Sequence, residues 1–381
     1  MHLSDLHLGR SILEQSLIDD QEYILDQLLK IVKENEVDVV LICGDVYDKS
    51  IPSVDAVNLF SNFLSSLYKI NVKVCVISGN HDSKDRLSFG NELFVDNDVY
   101  IEGIFNGKLR CVSFNDNYGK INIYMLPFVK PVDVRKYFQD VEIDSYDEAV
   151  SYVINNTNID YSERNIIMIH QFVTGSNIEI ERSDSEIISL GGIDNVDANI
   201  FNKFDYVAIG HVHRPQRLLK DTVRYAGSPL KYSFSEANHN KSVPIIDFKD
   251  KNDIDIELID LFPKRDLRII KGPIDKLLDK EVYKGTNLDD YICAVIIDND
   301  YVIDAIGKLR KVYKNILKIE YVNDRNNILN DVSGNVSSIS KDMTPIQLFE
   351  KFYKEMNNIE LDQNRKIIVA DVVKEVMDEA N

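Results

Sequence analysis

The chain has no tryptophan and, among 381 residues, only four cysteines, nine prolines and seven histidines. Cys43, Cys75, Cys111 and Cys293 are scattered and form no CxxC pair. Cys43 and Cys75 fall in apolar, strand-like runs, where reduced, buried thiols are expected, a usage that fits a reducing cytoplasm. No apolar run approaches the roughly 18 residues that would mark a membrane span, and no charged-then-apolar leader with a small-residue cleavage site opens the sequence. Positive charge is also scarce: 44 Lys and Arg stand against 63 Asp and Glu, a net charge of −19. That balance excludes a basic protein that coats nucleic acid. It leaves room for a phosphate substrate, because bound divalent cations can dominate the local field of a site. Short-period repeats and low-complexity tracts are missing as well.

What is there is a chain long enough for a main domain of about 250 residues and one or two smaller units. Leu17, Ile24, Leu25, Leu28, Leu29 and Val32 recur at helical spacing, and VDVVLIC (37–43) follows as a continuous apolar run. Val54, Val57, Leu59, Phe60, Phe63 and Leu64 repeat the helical pattern before VKVCVIS (72–78). Helices alternating with strands buried on both faces predict an α/β layered domain. Further strands are expected at 121–127, 165–170, 204–210, 222–227 and 253–261. Beyond Pro263 a compact strand-helix-strand unit is expected, and the Asn-, Asp- and Ser-rich residues 323–342 read as a linker. Thr344-Pro345-Ile346-Gln347 carries a helix-start signature, and two apolar helices after it predict a terminal hairpin.

Residue types that bind metals collect at the ends of the predicted strands. They are Asp5-Leu6-His7, Gly44-Asp45-Val46-Tyr47-Asp48, Gly79-Asn80-His81-Asp82, His170, and Gly210-His211-Val212-His213. In an extended segment residues two apart point to one side, so His211 and His213, like Asp5 and His7, can face a common point. Ligands of α/β sheets bind beyond the carboxyl ends of the strands, where these segments can converge. Five of the seven histidines lie there, too many for scatter. Carboxylate, imidazole and amide oxygen suit a pair of intermediate cations such as manganese, iron or zinc, and the lack of a thiolate disfavours a structural zinc site. Two such cations hold the attacking and leaving oxygens of a phosphoryl centre, so the chemistry indicated is metal-assisted phosphoester hydrolysis.

This ordered set, spanning about the first 215 residues, resembles the calcineurin-like metallophosphoesterase superfamily. The resemblance implies a layered α/β metallophosphoesterase sandwich in which Asp5, His7, Asp45 and His213 bind one metal and Asp45, Asn80, His170 and His211 the other, with Asp45 as the bridge. It implies that His81 faces the scissile phosphate, with Asp48 orienting its ring. SDLHLGR, GDVYD, SGNHDS, LPFVKP, GHVHRPQ and YAGSPLKYSFSE are similar to the SbcD family of bacterial SbcCD nuclease components across nearly the whole chain. That family implies a nuclease domain (1–262), a small α+β DNA-capping domain (263–325), a linker (326–342) and a C-terminal helical hairpin (343–381) that docks on an SbcC-type ATPase. It further implies manganese-dependent exonuclease action on duplex DNA ends, endonuclease action on single-stranded or hairpin DNA, and a homodimer in the cytoplasm. Only Met1-His2-Leu3 precede Ser4-Asp5, so the first strand is expected to be short.

Duplex binding requires cations near phosphates. Arg10, Lys49, Lys84, Arg86, Arg214, Arg217 and Lys231 lie near the motifs and could form a basic rim, with KLRKVYK (308–314) in the expected cap. Tyr225 and Tyr232 could stack on bases, although tyrosines in strands are more often core. His2 and His239 belong to no motif. Two other readings stand beside the nuclease: a metallophosphatase or phosphodiesterase for a protein or small molecule, and a non-catalytic scaffold for an ATPase.

Overall fold

The structure, a computed structural model, describes residues 1–175, 180–186, 194–251, 253–298 and 302–321, with scattered positions between 344 and 373. The chain divides into two compact units, Met1–Leu267 and Arg268–Asn381.

In the first unit, strand β1 (His2–Leu3) is short and pairs in parallel with β2 (Val39–Cys43). Strands β3 (Lys73–Ile77) and β4 (Val99–Glu102) extend this parallel sheet. Helix α1 (Ile18–Glu34) precedes β2 and buries Ile24, Leu25, Leu28 and Val32 of the residues whose spacing predicts it, together with Ile31, while Leu29 is only half-buried. Helix α2 (Val54–Lys69) starts where the Ser53 side chain accepts a hydrogen bond from the Ala56 amide, and it packs against β3.

A second sheet of six strands contains β5 (Arg110–Asp116), β6 (Gly119–Leu126), β7 (Arg164–His170), β8 (Tyr206–Gly210), β9 (Gln216–Arg217) and β10 (Val223–Tyr225). Their order is β9-β10-β8-β7-β6-β5, with parallel pairing in the middle and antiparallel pairing at both edges. Strand alternation makes the layers. Leu41, Cys43, Cys75 and Ile77 of the first sheet meet Ile123, Met125, Ile166, Met168, Tyr206 and Ala208 of the second. The intervening residues Tyr124, Leu126, Ile167, Ile169, Val207 and Ile209 point the other way, into a core shared with Val150, Val153 and Ile154 of helix α3 (Tyr146–Asn155). The fold is therefore an α/β sandwich. Cys43 and Cys75 are buried free thiols, and burial pushes the Cys75 thiol up to about 12. No described helix is long and apolar enough to cross a membrane.

Level registers carry the strand ends to one side of the sandwich. Cys43 lies beside Ile77, and His170 beside Gly210.

In the second unit, strands Leu267–Gly272, Tyr291–Ile296 and Ile316–Tyr321 form a sheet, the last two parallel. Its core holds Ile274, Leu277, Ile292, Ala294, Ile296, Leu309, Tyr313 and Ile316. The expected linker lies outside the described residues, as does most of the expected hairpin. Its start is described: the Thr344 amide donates to Gln347 Oε1 (2.9 Å) and the Gln347 amide to Thr344 Oγ1 (3.3 Å), a reciprocal capping box.

Candidate metal centre

Past the strand ends the main chain continues to pair. The Asp5 amide donates to Gly44 O (3.0 Å), His7 to Asp45 O (2.9 Å) and Leu8 to Val46 O (2.9 Å), so the first two loops run together as one ribbon. Asp82, the last residue of GNHD, is a buried knot that accepts from the amides of Val46, Tyr47 and Gly79 at 2.9–3.1 Å. Burial, with the neighbouring Asp45 charge, lifts its pKa to about 6. Aiming the side chains inward requires unusual backbone: Asp5, His7, Asp45 and His211 have φ of 52°, 43°, 49° and 97°. Such conformations cost of order 1–3 kcal/mol each and persist where surrounding structure enforces them. Two glycines make the approach of the loops possible. A Cβ on Gly79 would lie 2.0 Å from Asp45 Oδ1, and one on Gly210 1.9 Å from the Cys43 carbonyl oxygen.

The donors converge in two groups around Asp45. On one side, His7 Nε2 and His213 Nε2 face each other at 3.1 Å, and His7 Nε2 is 3.6 Å from Asp45 Oδ2. Donor atoms of Asp5, His7 and His213 all lie within 4.8 Å of one another. On the other side, His170 Nε2 is 3.4 Å from the same Asp45 Oδ2, and Asn80 Oδ1 is 3.1 Å from His170 Nε2 and 3.0 Å from His211 Nδ1. Asp5, Asp45 and His170 form another group within 4.8 Å. All seven residues expected to be ligands are thus brought together. The donors fit two divalent cations of intermediate hardness: ring nitrogens crowd face to face, amide oxygen and carboxylate complete each group, and no thiolate intrudes.

Charge and hydrogen bonding agree with that use. Burial opposes the Asp45 charge, but His170, His7 and His81 outweigh it and hold the carboxyl far below its ordinary range. Burial likewise disfavours a charged His170, yet Asp45 lifts its pKa to about 9. His211 falls to about 3, chiefly through burial and then through the His170 charge. His170 Nδ1 lies 2.7 Å from the Cys43 carbonyl oxygen, which can only accept, so that nitrogen keeps its hydrogen and Nε2 is the atom open to a cation once it releases its proton.

His81 lies at the edge of this cluster, its Nε2 4.0 Å from Asp45 Oδ2 and its amide 2.9 Å from Asp45 Oδ1. Its Nδ1 meets the backbone carbonyl of Asp48 at 3.0 Å. The Asp48 carboxylate turns elsewhere, to Arg10 Nη1 (2.9 Å) and towards His7 Nδ1 (3.5 Å). The resemblance implies that Asp48 orients the His81 ring; in the structure it is the main-chain carbonyl of Asp48 that meets His81 Nδ1. Residues read past in the sequence brace the cluster from behind: Ser185 Oγ lies 2.7 Å from His213 Nδ1, and Glu236 forms a buried 2.7 Å ion pair with Lys241. Their only sequence signal was the YSFSE stretch, which contains Glu236.

The expected basic rim is largely engaged. Lys84 pairs with Asp133 (2.8 Å), Lys231 with Asp266 (2.8 Å), Arg217 with Asp221 (2.7 Å) and Arg214 with Glu181, while Arg10 serves Asp48. Lys49 and Arg86 are exposed, with no ion pair to a described residue. Tyr225 and Tyr232 are buried, their hydroxyls donating to Val173 O and Leu6 O, so neither ring is offered to a base.

Residues 1–215 match the family model described as calcineurin-like phosphoesterase. The chain belongs to that family, and it is a metal-dependent phosphoester hydrolase by class. Residues 263–357 match a second model, SbcD_C, described as a type 5 capsule protein repressor C-terminal domain. Across 99% of this chain and 97% of the relative, it is 30% identical to the SbcD component of the SbcCD nuclease of Staphylococcus epidermidis. Within the phosphoesterases it is therefore a member of the SbcD family. Among solved structures, a dimetal phosphatase from Danio rerio aligns with 68% of this chain and 94% of its own, at 12% identity and a TM-score of 0.38, too distant to carry an argument.

Proposed function

We propose that this chain is a DNA nuclease that hydrolyses phosphodiesters with two divalent cations, manganese being the expected species, as a duplex-end exonuclease and a single-strand or hairpin endonuclease. The observation that carries the reading is the position of Asp45 Oδ2, between His7 Nε2 at 3.6 Å and His170 Nε2 at 3.4 Å. Asp5, His7, Asp45 and His213 would hold one cation and Asp45, Asn80, His170 and His211 the other. Bound cations supply charge neutralisation at the phosphoryl oxygens and activation of water. His81 is the proton donor to the leaving oxygen. The ring donates as the imidazolium: one hydrogen, on Nδ1, is committed to the Asp48 carbonyl (3.0 Å), and the second, on the Nε2 that faces the cluster, is the one transferred. Asp48 and Arg10 act at one remove, through the ring of His7 and the loop that carries His81.

The name of the Staphylococcus epidermidis relative and the match over 263–357 support a division into nuclease domain (1–262), DNA-capping domain (263–325), linker (326–342) and hairpin (343–381) docking on an SbcC-type ATPase. A cytoplasmic homodimer acting in DNA repair belongs to the same reading. Because the rim cations are mostly paired and the net charge is −19, the isolated chain should bind DNA weakly and salt-sensitively, with affinity supplied by the ATPase. The test is cleavage of end-labelled linear duplex by the purified chain with Mn2+, beside an aryl phosphodiester substrate. Progressive shortening of the DNA is the expected result. Hydrolysis of the aryl ester with the DNA intact, even after addition of the ATPase partner, would leave a general phosphodiesterase.

A further inference from the structure

Behind the first donor group lies a buried polar chain to which the resemblance assigns no role. His213 Nδ1 is 2.7 Å from Ser185 Oγ, and Ser185 Oγ lies 2.5 Å from Glu236 Oε1. Glu236 Oε2 accepts from Lys241 Nζ at 2.7 Å, and Lys241 Nζ also donates to the His213 carbonyl and to Ser228 Oγ, each at 2.8 Å. Ser185, His213, Glu236 and Lys241 are all buried, Glu236 completely. The same loop fixes the His213 main chain, whose amide donates to Glu186 Oε1 at 2.9 Å, and the Ser185 carbonyl accepts from Arg10 Nη2 at 3.3 Å.

Counting protons along this chain settles its polarity. An ammonium has only donors and an ionised carboxylate only acceptors, so the Lys241 pair leaves Glu236 to accept from Ser185. A hydroxyl has one hydrogen. Once Ser185 gives it to Glu236, its oxygen can only accept from His213, which must carry its hydrogen on Nδ1. The lone pair is then on Nε2, the atom that faces His7 Nε2 at 3.1 Å. We infer that Ser185 and Glu236, with Lys241 as counter-charge, are positioning residues that set the tautomer and orientation of the His213 ring. Second partners of this kind commonly govern metal affinity by about 10–100-fold. The inference rests on His213 being a ligand as far as metal affinity is concerned; the tautomer itself does not.

The test is long-range proton–nitrogen correlation NMR of the metal-free full chain labelled with nitrogen-15 histidine near pH 8, with His213 assigned by its loss in His213→Gln. The unmodified protein should show His213 as the Nδ1–H form. Ser185→Ala should shift it toward the Nε2–H form and weaken Mn2+ binding about 10–100-fold in calorimetry, and Ser185→Thr, which keeps the hydroxyl, should restore both. A second variant removes the acceptor behind Ser185: Glu236→Leu with Lys241→Met, which leaves no buried charge unpaired, should show the same loss of tautomer preference. Glu236 Oε1 stands 3.6 Å from His213 Nδ1 and can replace the Ser185 hydroxyl as acceptor, so an Nδ1–H signal unchanged both in Ser185→Ala and in the double variant overturns the inference. A shifted tautomer with unchanged Mn2+ affinity would uphold the positioning role and count instead against His213 as a ligand.

Discussion

The two donor groups on either side of Asp45 are braced in different ways. The His213 ring is held by side chains, Ser185 backed by Glu236 and Lys241. The His170 ring is held by the main chain, the Cys43 carbonyl 2.7 Å from its Nδ1. A side-chain brace can be removed by substitution without moving the fold. A main-chain brace can be disturbed only by moving a strand, because Cys43 is the last residue of β2 and bridges the inner faces of the two sheets. One group is thus tunable by its loops, while the other is tied to the sandwich itself.

The comparison disappears where both groups share a ligand. Asp45→Asn should have the largest effect, since its Oδ2 serves both sides: retention of both cations should fail in equilibrium dialysis, and turnover should drop by roughly 10³-fold or more as several kcal/mol of charge stabilisation go. The unmodified chain would then lose the ligand-linked part of its thermal stability on chelation, about 2.7 kcal/mol at a hundredfold excess of cation over Kd, and the variant would show no such shift. A variant that still binds one cation at full strength would mean that Asp45 does not bridge.

Gly210→Ala should break only the main-chain side. The added Cβ would meet the Cys43 carbonyl oxygen at 1.9 Å and His170 Nδ1 at 2.7 Å, displacing the brace of His170. Overpacking of this kind costs typically 1–3 kcal/mol, so a lower Tm with loss of one cation is expected, the His213 side being spared. Equal weakening of both sides would show that the two groups form one mechanical unit. Ser185→Ala, which acts on the opposite side, should be smaller in stability and confined to the first cation.

Why the ligands were foreseeable and neither brace was follows from what patterns report. VDVVLIC and VKVCVIS place Asp45 and Asn80 because buried parallel strands leave uninterrupted apolar runs, and the metal-ligand residues at their ends are of distinctive type. Strand β5 has mixed exposure and gave no run, and β4 is only four residues long, so the fourth strand of the first sheet and the edge of the second went unread. Ser185, Glu186 and Lys241 lie in loops, where serine, glutamate and lysine are ordinary surface residues; only the fold reveals that they are buried. The backbone-borne roles escaped for a related reason. That His81 meets the carbonyl of Asp48, not its carboxylate, and that the Cys43 carbonyl holds His170, are properties any residue type could supply at those positions.

His81→Ala should leave the metal comparison untouched, and that makes it the sharpest of the tests. Its Nδ1 is engaged by Asp48 O, and its Nε2, 4.0 Å from Asp45 Oδ2, is farther from that bridging oxygen than His170 Nε2 (3.4 Å) or His7 Nε2 (3.6 Å), although His81 also falls with His7 and Asp48 in a group whose donor atoms lie within 4.8 Å of one another. Both cations should therefore be retained with unchanged affinity in dialysis. Turnover on the DNA end should still fall by about 10²–10⁴-fold, the range for removal of a positioned general acid. The deficit should shrink for a substrate whose leaving group needs no proton, such as a p-nitrophenyl phosphodiester, because the lost function is protonation and not binding. Loss of a cation equal to that in Asp45→Asn would move His81 into the donor set. An undiminished deficit on the activated ester would assign the ring to stabilising the phosphoryl group instead of the leaving oxygen.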